Sequence, residues 1–207
     1  AKLDKQPQTI GTFINEKVQE NSNTVKGPGC GLYLTFPTKA HEQVQMQVGL
    51  SYTSIENARN NRDTEIANKS FNDVKNAARQ TWNELLGRIQ VEGGTPEDKT
   101  KFYTGLYHAL LGRGIANDIN GQYIRHDKTI GQIPLDKNGI PLYSHHNTDG
   151  MWGGFWNLTQ IWTLAYPEIF SSYIKSNLDF FKNSGWLHDG EAAGVYTNGV
   201  QTNFQGL

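Results

Sequence analysis

The densest group of side chains able to do chemistry lies at residues 143–157, YSHHNTDGMWGGFWN. Two histidines (His145 and His146), Asp149, amides and two tryptophans (Trp152 and Trp156) stand among small glycines, in a loop that runs into a helix pattern. A flat indole covers the apolar face of a pyranose ring, while carboxylates and amides hydrogen-bond its hydroxyls, so this mixture suits a sugar site. Asp149 falls near the expected helix N-terminus, where negative charge is favoured. A plain structural reading stands beside this one: Asp149 caps the helix, and Trp152, Trp156 and Trp162 are core. The candidate binding set is Asp149, Trp152, Trp156, His145 and His146.

The other reactive groups read as structural. Adjacent histidines on an extended segment rarely point at one ion, and no HExxH-like spacing accompanies His145 and His146. The stretch His188, Asp189, Gly190, Glu191 places two carboxylates close together, the pairing glycosidases use for acid–base work. Exposed acidic loops are commoner than catalytic pairs, and it reads as one. His108 reads as a packing histidine, and the GPGCG run at 27–31 reads as a turn. There is no GxSxG, no GxGxxG following a strand and no phosphate-loop lysine.

The whole composition narrows the function further. Across 207 residues, Lys+Arg 19 against Asp+Glu 20 gives a net charge of -1. That balance leaves no electrostatic footprint for nucleic acid or an anionic membrane. Cys30 is the single cysteine, which excludes an internal disulfide and a cysteine-based zinc site. No apolar run reaches the length of a membrane-spanning helix. The opening AKLDKQPQ is neither a signal peptide nor a start with Met, and the closing NFQGL has no capping feature. Both ends are expected to be cuts in a longer protein.

The elements that would position the cluster follow from periodicity. Residues 9–15 and 31–36 read as short strands. Residues 44–52 alternate Val44, Met46, Val48, Leu50 and Tyr52 with polar or small neighbours, which predicts a strand with one buried face. At Ser54 the period changes, and Ser54 caps a helix over IENARNNRDTEI. A second helix is expected at 70–87, with Ser70 as cap, an apolar row from Phe71 to Leu86, and Gly87 closing it. Thr95, Pro96 and Asp98 open a third. Turn signals at 114–143 predict hairpins. A long aromatic helix is expected from Asp149 to Tyr166, then another at 168–183 with Ile169, Tyr173, Leu178 and Phe181 inward. Residues 184–207 read mostly as loop. Strands followed only by helices imply an α+β, two-domain layout rather than alternating βαβ units.

Several of these segments resemble, in order, glycoside hydrolase family 92. VQMQVGLSYTSIENARNN resembles its strand-to-helix junction, and AARQTWNELLGRIQVEGG its linker helix and following strand. KFYTGLYHALLGR is similar to the first catalytic-domain helix, NTDGMWGGFWNLTQIWTLAYPEI to the next, and SGWLHDGEAAGVYTN to the loop after that. The resemblance implies the last strands of an N-terminal β-sandwich at 1–52, linker helices at 53–90, and the first part of an (α/α)6 toroid at 91–207. It implies an exo-acting α-mannosidase that inverts at the anomeric carbon, uses calcium, and removes terminal α-linked mannose, with α-1,2 linkages the expected substrate. Mannose-containing glycans and the remainder of the same enzyme are the implied partners. A bacterial secreted, periplasmic or cell-surface location is implied, with N-glycan degradation as the setting.

Two departures qualify what is carried over. Many family members have W-D-T in the second toroid helix, where the aspartate binds the terminal mannose; here Gly153 follows Trp152, and Asp149 is the candidate to serve that pocket from three residues earlier. In the family the acid, the base and most calcium ligands come from later helices, so no catalytic or metal-binding residue is assigned in this chain. Two other readings fit the residues: a different (α/α)6 glycan-active enzyme, and a non-catalytic carbohydrate-binding module.

Overall fold

The computed structural model describes residues 1–111, 114–147, 151–187, 189–192 and 194–197. The chain divides into two compact units, Ala1–Val48 and Gly49–Leu207.

The first unit holds β1 (Lys2–Leu3), β2 (Thr9–Ile14), β3 (Lys17–Glu20), β4 (Cys30–Thr35) and β5 (Met46–Gln47). Strands β3, β2 and β4 form an antiparallel sheet in that order, and β1 pairs with β5. The register Thr12↔Leu32 and Ile10↔Leu34 puts Ile10, Thr12, Ile14, Leu32 and Leu34 on one face. Strands β2 and β4 form where β-rich runs between turn residues predict them. The alternating run at 44–52 does not form the expected half-buried strand. Only Met46 and Gln47 find a ladder partner, and Met46, Val48, Leu50 and Tyr52 remain exposed. An alternating sequence records that one face needs a cover; it does not supply the cover.

The second unit opens with three capped helices. Helix α1 (Ile55–Glu65) starts at Ser54, whose Oγ accepts from Asn57 N. Helix α2 (Phe71–Leu86) starts with a reciprocal capping box between Ser70 and Asp73. Helix α3 (Pro96–Leu111) follows Thr95, which exchanges the same pair of bonds with Asp98. A polar knot ties α1 to the loop before the next hairpin. Asp118, buried, accepts from Ser51 Oγ at 2.9 Å, from Thr53 Oγ1 and from Asn61 Nδ2 at 2.7 Å. Asn57 donates to Gln122 Oε1 at 2.6 Å. The predicted hairpin then appears as β6 (Gln122–Ile124) and β7 (Ile130–Gln132).

The long helix expected from Asp149 to Tyr166 is instead two pieces, a 3-10 segment Met151–Trp156 followed by α4 (Leu158–Ala165). The pair Gly153 and Gly154 carries the weakest intrinsic helix preference short of proline, which accounts for the break. Helix α5 (Pro167–Ser184) ends at Gly185, whose φ of 77° closes it in the left-handed conformation. Its buried residues are Tyr173, Ser176, Asn177 and Phe180; Leu178 and Phe181, expected inward, are exposed. Hairpin β8 (Gly190–Ala192) and β9 (Val195–Thr197) replaces the predicted loop. His108 is exposed rather than packed inside.

The core lies among α3, α4 and α5. Leu106, Trp162, Tyr166 and Tyr173 are its buried centre, with Leu85 and Leu86 from the end of α2 against it. Trp162 and Tyr173 meet edge to face, ring centroids 5.6 Å apart. Tyr166 reaches across to donate to the Leu85 carbonyl at 3.0 Å.

Candidate functional site

Helix α5 carries Ser172, Ser176 and Asp179 at spacings of four and three, which sets them on one face. That face is a ladder for the extended segment 143–147. Ser172 Oγ accepts from Ser144 N at 2.7 Å and donates to Ser144 O at 3.0 Å. Ser176 Oγ accepts from His146 N at 3.0 Å and donates to Ser144 O at 3.0 Å. Tyr143 OH donates to Asp179 Oδ2 at 2.6 Å. On the other edge, His145 N donates to Asn117 Oδ1 at 2.7 Å, and Ala116 N donates to the His145 carbonyl at 2.7 Å. The backbone entering the aromatic cluster is thus held on both sides.

The electrostatics follow from burial. Desolvation, and then the Asp179 carboxylate, push the Tyr143 phenol well above its ordinary pKa. Tyr123 is raised by the same two causes in the same order. The Tyr123 ring stacks on His145 with centroids 3.8 Å apart, and Phe180 meets the same imidazole edge-on at 4.7 Å.

The five candidate binding residues fare differently. His145 is 1% exposed, enclosed by Tyr123 and Phe180, with Nε2 3.7 Å from Glu191 Oε2. His146 is also buried, its backbone fixed to Ser176. Trp156 is 72% exposed at the end of the 3-10 segment. Trp152 belongs to that segment, and its side chain lies outside the described residues, as does Asp149. The sequence reading missed Asp189 and Glu191, both expected on an exposed loop and both buried. No period or spacing marks them; their burial comes from the β8–β9 hairpin folding inward. Also missed was the serine ladder, whose four-residue spacing was visible but competed with an apolar phase drawn through Leu178 and Phe181.

Residues 57–204 match the model of the glycosyl hydrolase family 92 catalytic domain. The chain belongs to glycosyl hydrolase family 92. The fold agrees with solved members. It superposes on the family GH92 inverting mannosidase BT2199 from Bacteroides thetaiotaomicron VPI-5482 with a TM-score of 0.79 at 24% identity, over 96% of this chain and 26% of that one. The family GH92 α-mannosidase BT3965 from Bacteroides thetaiotaomicron gives 0.76 at 21% identity, over 95% and 26%. The gh92 family glycosyl hydrolase ccman5 gives 0.71 at 21% identity, over 88% and 23%. The chain therefore spans about a quarter of the length of these relatives. A search of curated proteins gives no match.

The family 92 chain departs from the W-D-T pattern at a place with room to spare. A groove of about 360 Å³ runs between Gly105 and Ala109 of α3 and Gly153, Gly154 and Asn157 of the next segment. A Cβ at Gly153 would meet no described atom within 4 Å. Among the described residues nothing lies close enough to require a glycine there.

Proposed function

We propose that this chain is part of an exo-acting α-mannosidase that hydrolyses terminal α-linked mannose, α-1,2 linkages above all, with inversion. The observation that carries the reading is the match to the family 92 catalytic domain over residues 57–204. The likeness to a structure described as an inverting mannosidase supports it. On this reading residues 1–52 end a β-sandwich, 53–90 link, and 91–207 begin an (α/α)6 toroid. The setting is degradation of N-glycans by a secreted, periplasmic or surface-bound bacterial enzyme.

Inverting hydrolysis needs a carboxylic acid to protonate the leaving oxygen and a carboxylate to activate water across the ring. Both are proposed to come from outside this chain, whose part is the wall of the mannose subsite. Trp156, exposed at the end of the 3-10 segment, offers an indole face for the apolar side of the sugar. Asp149 and Trp152 would complete the wall, Asp149 by accepting from sugar hydroxyls. His145 and His146 are buried, and their backbone bonds to Asn117 and Ser176 hold the segment that leads into the loop. Calcium is proposed to act on the bound sugar, held by ligands outside the described residues. Among the described residues no three His, Cys, Asp or Glu side chains gather to hold a metal ion. The described residues do not by themselves fit the ion.

The test is the intact enzyme acting on α-1,2-mannobiose, followed by proton NMR. Release of β-mannose as the first product supports the reading; α-mannose, or no mannose, overturns it. In the same enzyme Asp149→Ala is expected to lower kcat/KM by at least about tenfold, as loss of a charged hydrogen bond to substrate would. Wild-type kinetics would remove Asp149 from the site.

A further inference from the structure

Glu191 and His145 are a buried titratable pair with no part in the chemistry above. Both side chains are 1% exposed. Glu191 Oε1 accepts from Gly194 N at 3.1 Å, while among the described residues Oε2 has no hydrogen-bond partner. Among the same residues neither ring nitrogen of His145 has one. Tyr123 and Phe180 enclose the imidazole, so its ring cannot turn away without breaking two aromatic contacts. Held there, Nε2 lies 3.7 Å from Oε2, within ion-pair range and a small rotation from a hydrogen bond. A buried acceptor oxygen is unfavourable unless a polar group meets it, and the imidazole Nε2 is the group that faces this one.

The pair also joins two elements far apart in sequence. The β8–β9 hairpin has only three residues per strand, too short to hold by itself. Gly194, at φ 71°, turns it, and a Cβ there would sit 2.6 Å from the Arg125 carbonyl oxygen, so the turn is pressed against the end of β6. Lys128 Nζ donates to Gly194 O at 2.9 Å. Glu191 carries the hairpin's buried carboxyl group to the segment 143–147, the backbone that leads into the aromatic cluster.

We propose that His145 and Glu191 form a buried clasp that fixes the β8–β9 hairpin onto the 143–147 segment, making Glu191 a positioning residue for the sugar-facing loop. The clasp stands on the geometry alone; its positioning role rests on the mannosidase reading.

The experiment is a double-mutant cycle in the intact enzyme, with Glu191→Gln, His145→Gln and both together. Glutamine keeps the acceptor for Gly194 N–H and nearly the same volume, so Glu191→Gln removes little but the carboxyl oxygen that faces Nε2. Each single variant is expected to melt several degrees lower, and the double no lower than the worse single, because the partner's contribution is already lost. Amide exchange in the hairpin of Glu191→Gln is expected to rise about tenfold or more, with α3 unchanged, as local opening without global unfolding requires. KM for an α-mannoside is expected to rise several-fold, with kcat changed less. Additive melting shifts, or unaltered exchange in the hairpin, would overturn the clasp. Should His145→Gln fail to fold, the exchange measured on Glu191→Gln decides alone. Coupled melting with wild-type KM and kcat would overturn the positioning role. An enzyme that releases no mannose refutes the functional reading instead, and the clasp is then judged on melting and exchange.

Discussion

Trp156 and Trp162 share a residue type and lie six positions apart, yet one is 72% exposed and the other fully buried against Leu106, Tyr166 and Tyr173. Their truncations should separate cleanly. Trp162→Ala removes a ring from the centre of the core and is expected to cost about 3–5 kcal/mol in a chemical unfolding titration. Trp156→Ala should leave stability within about 0.5 kcal/mol, because a surface truncation forfeits little burial, while raising KM for a mannoside. A large stability loss from Trp156→Ala would return it to the core. Tyr143 makes a prediction of a different kind. Its folded-state pKa is raised above the ordinary 10.0, first by burial and then by Asp179. The folded state therefore holds the phenolic proton more tightly than the unfolded one. That contribution is fully present below pH 10 and is lost as the pH rises toward the raised folded value. Melting temperature followed into the alkaline range should fall less steeply in Tyr143→Phe than in the wild type; parallel curves would show that the phenol does not titrate with unfolding.

At the scale of the helix, α5 is where sequence and structure part company for a definable reason. Two phases compete along it. One joins Ile169, Tyr173, Leu178 and Phe181, and the other joins Tyr173, Ser176, Asn177 and Phe180. Hydropathy favours the first, but the structure buries the second, because the 143–147 segment brings unpaired backbone groups that need hydroxyls. Ser176→Ala tests this. The substitution removes the hydroxyl with little change of volume and takes from His146 N its acceptor, while Ser144 O keeps only Ser172 Oγ as donor. It is expected to destabilise by about 1–3 kcal/mol, the cost of stranding buried polar groups. Ser172→Ala, at a half-buried position, should cost less. The capped starts of α1, α2 and α3 were legible because a cap is local: Ser54, Ser70 and Thr95 each meet a partner three residues on. The β8–β9 hairpin was not, since the groups that lie against it, Arg125, Lys128 and His145, are distant in sequence and no local pattern reveals them. The Gly153–Gly154 break was written in the sequence but outweighed there by the aromatic run around it.

At the scale of the whole chain, the order of strands, two helices and then aromatic helices could be read in advance, and so could the family, because motifs survive where contacts are shared. What could not be read is how little of each helix this chain covers for itself. Leu164 on α4 is 86% exposed, and Phe71, Trp186 and Leu178 are exposed on or beside other helices. Helix α2 has a clear apolar row and no buried residue. Exposed apolar surface on this scale marks a face that meets another body. In the proposed enzyme that body is the remainder of the toroid. Expressed alone, the 207-residue chain is therefore expected to bind a hydrophobic dye strongly, to self-associate in a concentration-dependent way, and to melt over a broad range. Light scattering coupled to size exclusion, with calorimetry on the same sample, reads all of this except the dye binding, which a fluorescence titration supplies. A monomer with one sharp transition and no dye binding would mean that these helices satisfy their own apolar faces in solution, and the arc-of-a-ring reading would lose its physical ground.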